Sequence, residues 1–83
     1  MIFRKLVKTC DACPAQWEGE NEAGEKVFIR YRVGVFSIGT GKTLINAIYD
    51  SMNKGVKIGE EWDGYMSTEE MLELTNFKTK GEV

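Results

Sequence analysis

Lys26-Val27-Phe28-Ile29-Arg30-Tyr31-Arg32-Val33-Gly34-Val35-Phe36-Ser37-Ile38 carries the clearest periodicity in the chain. Val27, Ile29 and Tyr31 alternate with Lys26, Phe28, Arg30 and Arg32, the period-two pattern that puts successive side chains on opposite faces of a strand. Val33-Gly34 then turns the chain and Val35–Ile38 returns as a hairpin partner; the alternative is one long strand with a bulge at Gly34. A hairpin makes the pairing antiparallel, and the rest of the chain is read outward from it.

Upstream, Ile2–Thr9 and Pro14–Glu20, the latter centred on Trp17, read as further strands, with Asn21-Glu22-Ala23-Gly24 supplying the turn into Lys26. Downstream the period changes. Leu44, Ala47, Ile48, Ser51 and Met52 fall at helical spacing, so a helix is predicted near 41–53, with Thr40 as its cap and Gly55 at its end. Its apolar stripe is expected to cover the face carrying Val27, Ile29 and Tyr31, since neither surface is buried alone. Val56–Ile58 suits a short edge strand, and Trp62-Asp63-Gly64-Tyr65 a turn. Ser67-Thr68-Glu69-Glu70 is a capping box opening a short helix over 68–75, with Phe77 packing behind it. The expected fold is therefore α+β: a three- to four-stranded antiparallel sheet packed against one main helix, plus a short C-terminal helix. Residues 1–77 form one domain and 78–83 a flexible tail.

Size and composition set bounds. Eighty-three residues suffice for one core, and a chain of this length buries only about 60% of its unfolded surface. The hydrophobic fraction of 42% excludes a disordered class. The apolar-leaning run from Val27 to Ile38 is interrupted by Arg30 and Arg32, which argues against a bilayer span, and no signal-peptide pattern follows the basic N-terminus. The chain is accordingly expected to be cytoplasmic, with reduced cysteines. The net charge of −2 argues against a dedicated nucleic-acid binder. Charge is uneven, however: six acids and no base lie between Glu60 and Glu73. That run suits either a solvated face or a surface offered to a basic partner.

Four constellations carry chemistry. Cys10-Asp11-Ala12-Cys13 has the spacing of half a zinc knuckle. With no histidine and no further cysteine, one chain lacks the four ligands zinc requires, so Cys10 and Cys13 would hold a metal only by sharing it across a homodimer. The same pair suits a redox dithiol or a tight structural turn. Ser37-Ile38-Gly39-Thr40-Gly41-Lys42-Thr43 ends like a phosphate-binding loop, but Phe36 stands where that signature requires glycine, and hairpins do not supply its parallel sheet. Phe28, Arg30 and Arg32 on one sheet face, together with Lys42, form a candidate nucleic-acid or phosphate contact, and equally a solvated face paired with neighbouring glutamates. Trp62 and Tyr65 beside Glu69 and Glu70 form a candidate protein-binding surface, aromatic anchors rimmed by carboxylates.

Cys10-Asp-Ala-Cys-Pro-Ala-Gln-Trp-Glu-Gly19, followed by Val27-Phe-Ile-Arg-Tyr-Arg32 and the Gly34 turn, resembles a group of small bacterial and phage proteins with a C-x-x-C-P-A-Q-W-E-G motif. The resemblance covers roughly the first 38 residues, less than half the chain. It implies no activity; a phage or mobile-element origin would favour a small protein that binds a host protein. With the commonest general base absent, the expected function is a non-enzymatic protein–protein interaction module without cofactor. The runner-up is a nucleic-acid or phosphate-contacting module, and the third reading a metal or redox protein built on Cys10 and Cys13.

Overall fold

A computed structural model describes residues 1–11 and 14–80. The strands that the alternating segments form are β1 (Ile2–Cys10), β2 (Ala15–Asn21), β3 (Lys26–Arg32) and β4 (Val35–Gly41). Then follow α1 (Leu44–Ser51), β5 (Val56–Lys57), α2 (Thr68–Thr75) and β6 (Lys78–Thr79). The strands lie in one sheet in the order β5-β4-β3-β2-β1-β6. All neighbours pair antiparallel except β1 and β6, which run parallel through Ile2–Lys78 and Phe3–Thr79.

This corrects the expected sheet of three to four antiparallel strands: it is six-stranded, mixed and curled into a half-barrel. Two strands beyond the four long ones are two residues long: β5 is the edge strand expected from Val56–Ile58, whereas β6 is too short for a period of two to show in the sequence. The curl has a local cause in β1, where the register against β2 slips between Phe3 and Lys5 and again between Lys8 and Cys10; such bulges sharpen the strand's twist. Lys78–Thr79, expected in a loose tail, instead return along β1, with the Lys78 amide donating to the Met1 carbonyl and the Lys80 amide to that of Phe3.

The helices also depart from expectation. There is no single main helix: α1 and α2 are eight residues each and lie on opposite faces of the sheet. The inner face carries Phe3, Leu6, Ala15, Trp17, Val27, Ile29, Tyr31 and Phe36, and the buried cluster is closed by Met66 and by Met71 of α2. Trp17, fully buried, donates its indole N–H to Thr68 Oγ1 at 2.9 Å, which ties α2 to this face. Phe77 meets Phe3 edge-on, with ring centroids 5.7 Å apart.

α1 therefore does not cover Val27, Ile29 and Tyr31. It packs on β4 and β3 from the outer side. Gly39 pairs with Phe28, so both point outward, and a Cβ at Gly39 would run into the Ala47 carbonyl and the Ser51 amide of α1. Gly41, on the same face, would put its Cβ 2.6 Å from the Cβ of Asn46. The two glycines leave a flat seat on which the helix backbone rests, and Phe28 is buried on the same side. The cap moves too. Thr43, not Thr40, is the N-cap, its hydroxyl accepting from the Asn46 amide, because β4 runs on through Gly41. The Thr40 amide donates instead to Asp50 Oδ2 at 2.9 Å.

Candidate functional site

The β3–β4 hairpin turns through Val33 and Gly34, with φ of 49° and 76°. Two successive positive φ values match the right-handed twist of the strands in a two-residue loop. Gly34 takes such a conformation freely; valine, β-branched, does so only under strain of about 1–3 kcal/mol. The turn is stapled from outside. The Gly34 amide donates to the Asp63 carbonyl at 2.8 Å, and the Gly34 carbonyl accepts from the amides of Ile58 and Gly59 at 2.8 and 3.1 Å. No side chain fits at position 34, since a Cβ would strike the carbonyls of Gly59 and Glu60. Asp63 closes the stapling segment on itself by accepting from the Glu60 amide at 2.8 Å. The buried Tyr31 hydroxyl sits against Gly59, and burial together with the Asp63 charge raises the pKa of that phenol.

This staple sets Trp62 beside the hairpin tip. Trp62 is 78% exposed and lines a hollow of about 190 Å³ with Arg32, Val33, Glu61 and Asp63. Arg32 and Val33 also line a second hollow, of about 340 Å³, which opens on the outer face toward Ser51 and Met52 at the end of α1. Arg30, Val35 and Ser37 complete its wall. Arg30 pairs directly with Ser37 across the strands, and Arg32 lies two residues on along the same face. The sequence-predicted Trp62 and the sequence-predicted arginines, assigned to different chemistries, thus meet at one end of the sheet.

The other candidates do not join them. Phe28 is only 5% exposed and offers no ring for stacking. Lys42 follows the far end of β4, where Gly41 pairs with Lys26, while Arg32 pairs with Val35 at the near end. Tyr65 is exposed but held elsewhere: Lys8 Nζ lies 4.9 Å from its ring centroid and 5.4 Å from that of Trp17, and donates to the Met66 carbonyl at 2.7 Å. Glu70 is a structural residue, accepting from the Ser67 amide while its own amide donates to the Ser67 hydroxyl. Glu69 is exposed beside Leu6, Lys8 and Leu72. Cys10 ends β1 half-buried, and Cys13 lies outside the described residues. Among the described residues no group of three or more potential metal ligands comes together. Of the Gly41-Lys42-Thr43 segment, Gly41 ends β4, which pairs antiparallel with both β3 and β5, and Lys42 and Thr43 lead into α1.

One surface escaped the sequence reading. Ile45 and Tyr49 of α1 and its C-cap Met52, at i, i+4 and i+7, are all exposed. The signal was present, since Ile45 and Tyr49 lie beside the stripe of Leu44, Ala47 and Ile48 and widen the apolar arc of α1 beyond what one seat on a sheet buries.

Comparison with protein-family models, curated proteins and solved structures finds no match to this chain. No helix among the described residues is long and apolar enough to cross a membrane.

Proposed function

We propose that this protein is a non-enzymatic interaction module that engages another protein through the stapled end of the sheet, around Trp62, Val33 and Arg32. The observation that carries the proposal is the exposure of Trp62 on a rigid turn. A large aromatic held at 78% exposure gains nothing from the core, while the hydrogen bonds of Gly34 fix the backbone that presents it. Preorganised tryptophan and arginine side chains are the residue types that dominate binding energy at protein interfaces. The strain at Val33 adds weight, because unfavourable backbone conformations cluster where a surface is used.

Catalysis has little support. The chain has no histidine. Its best-held carboxylates are engaged structurally: Glu20 by Arg4 and Lys26 at 2.7 and 3.2 Å, and Asp50 by Lys54 at 2.8 Å and the Thr40 amide. Those contacts lower both pKa values, the opposite of what a general acid near neutrality needs.

The test is affinity capture with the wild-type chain, Trp62→Ala and Tyr49→Ala, each checked for folding by circular dichroism. A partner retained by wild type and Tyr49→Ala but lost with Trp62→Ala supports the proposal. Loss with Tyr49→Ala alone would move the interface to α1 and end it.

A further inference from the structure

We infer that the outer-face hollow between the β3–β4 hairpin and the end of α1 binds a carboxylate carried on an apolar-flanked segment of a partner protein, the pair Arg30 and Arg32 supplying the charge. The inference rests on the protein-binding proposal above and specifies what that partner must offer.

Its basis is an accumulation of donors without acceptors. Of the three arginines, Arg4 is paired with Glu20 at 2.7 Å, whereas Arg30 and Arg32 form no ion pair and no side-chain hydrogen bond among the described residues. Ser37, cross-strand partner of Arg30, has a hydroxyl that is likewise unengaged among them. All three line the same hollow of about 340 Å³, and no acidic residue does. Arg30 is only half exposed, so its guanidinium is partly shielded from water, and a charge so placed gains more from an incoming anion than a fully solvated one. The planar guanidinium fork matches a carboxylate in two parallel hydrogen bonds.

The end of α1 nearby brings an opposing field, because a helix C-terminus carries roughly half a negative charge. Two full positive charges exceed it. Part of that end is also satisfied, the Ser51 carbonyl accepting from the Lys54 amide at 3.1 Å and the Ile48 carbonyl from the Ser51 hydroxyl at 2.7 Å.

The apolar walls define the rest of the ligand. Val33, Val35 and Met52 border the donors, and Trp62 stands across Arg32 in the adjoining hollow. An isolated anion would leave these walls wet, whereas an acidic side chain next to an aliphatic one satisfies both. A nucleic-acid backbone fits less well. Glu61 and Asp63 line the neighbouring hollow and would repel a run of phosphates, and Phe28, the aromatic on this face, is buried.

The experiment follows the arginine Nε–Hε signals of the isotopically labelled full chain by NMR. One titration adds a blocked pentapeptide with glutamate between two leucines; a second adds its glutamine twin. The glutamate peptide should move the Arg30 and Arg32 signals saturably, bind at least tenfold more tightly than the twin, and weaken with added salt. Arg30→Gln with Arg32→Gln should lose the response while amide spectra confirm the fold. Equal response to both peptides, no response at millimolar concentration, or a stronger shift of these two signals by a short single-stranded DNA would each overturn the inference. The two proposals fail separately. Partner capture that survives Arg30→Gln/Arg32→Gln but not Trp62→Ala removes the carboxylate site alone. Capture that survives Trp62→Ala removes the Trp62 surface, and the peptide titration still decides the arginines.

Discussion

Gly39 of β4 lies directly under Ala47 of α1, so close that a methyl group at position 39 would overlap the Ala47 carbonyl oxygen. The helix is seated backbone to backbone, with Ala47 and Ser51 buried at the contact. Gly39→Ala must lift α1 or bend β4, because neither atom it meets is the end of a flexible side chain. Overpacking of this kind costs about 1–3 kcal/mol. Urea denaturation should give a lower midpoint with an unchanged slope. An unchanged midpoint would place α1 elsewhere.

A second stability prediction concerns α2. Ser67 and Glu70 satisfy each other's backbone amides at the helix start, at 3.0 and 3.2 Å. Ser67→Ala removes an acceptor and should cost about 1 kcal/mol in chemical denaturation. Glu70→Gln keeps the side-chain oxygen that receives the Ser67 amide and should cost less than half of that. α2 closes the inner face through Met71, so the Ser67→Ala effect should appear equally by far-UV and Trp17-sensitive near-UV signals; a loss confined to helicity would mean that α2 frays independently of the core.

What the sequence made legible was what rests on long periodic segments and local chemistry. The alternation of Val27, Ile29 and Tyr31, the Val33-Gly34 turn, and the Ser67–Glu70 box all stand as local features. The side of the sheet on which each helix lies was not legible: the stripe of Leu44, Ala47, Ile48 and Ser51 names the side of α1 that is buried, with Ala47 and Ser51 at its centre, but not the sheet face that receives it. The deciding residues were Gly39 and Gly41, which look like a flexible lead into a helix and serve as its seat. β5 was expected from Val56–Ile58, but β6 was hidden for another reason: a two-residue strand has no period. The candidate site was legible as residue types but not as a place. Trp62 and Arg32 are thirty residues apart, and the hydrogen bonds of Gly34 to the 58–63 segment, with the pairing of β5 on β4, bring them to one hollow.

The acid limb of stability has named contributors. The Arg4 and Lys26 side chains hydrogen-bonded to Glu20 hold its carboxyl below the ordinary glutamate value; the Lys54 ammonium and the Thr40 amide do the same for Asp50. A carboxylate whose pKa falls on folding stabilises the native state above its unfolded pKa, about 4 for either type, and that contribution disappears as the pH drops through the folded value. Stability should therefore be flat from pH 7 to 5 as far as these groups are concerned, then decline below about 4. Glu20→Gln and Asp50→Asn should each flatten the decline. Added salt should shrink the Glu20 effect, since Arg4 and Lys26 face solvent. Parallel decline in wild type and both variants would assign the acid limb to other groups.

Val33 offers the sharpest separation of stability from function. Its φ of 49° is one that asparagine adopts with little penalty, and asparagine before Gly34 would complete the pair preferred in this turn. Val33 is about half exposed, so Val33→Asn gives up little burial while releasing strain, and should stabilise the protein by about 1 kcal/mol. Binding should move the other way. Val33 lines both hollows, and replacing its isopropyl group by an amide removes apolar contact where Trp62 and Met52 would meet a partner. The variant should melt higher and capture the partner several-fold less well. A variant that is more stable and binds as before would show that the strain serves no surface, and one that is less stable would mean that the valine side chain is held in this turn by packing rather than tolerated.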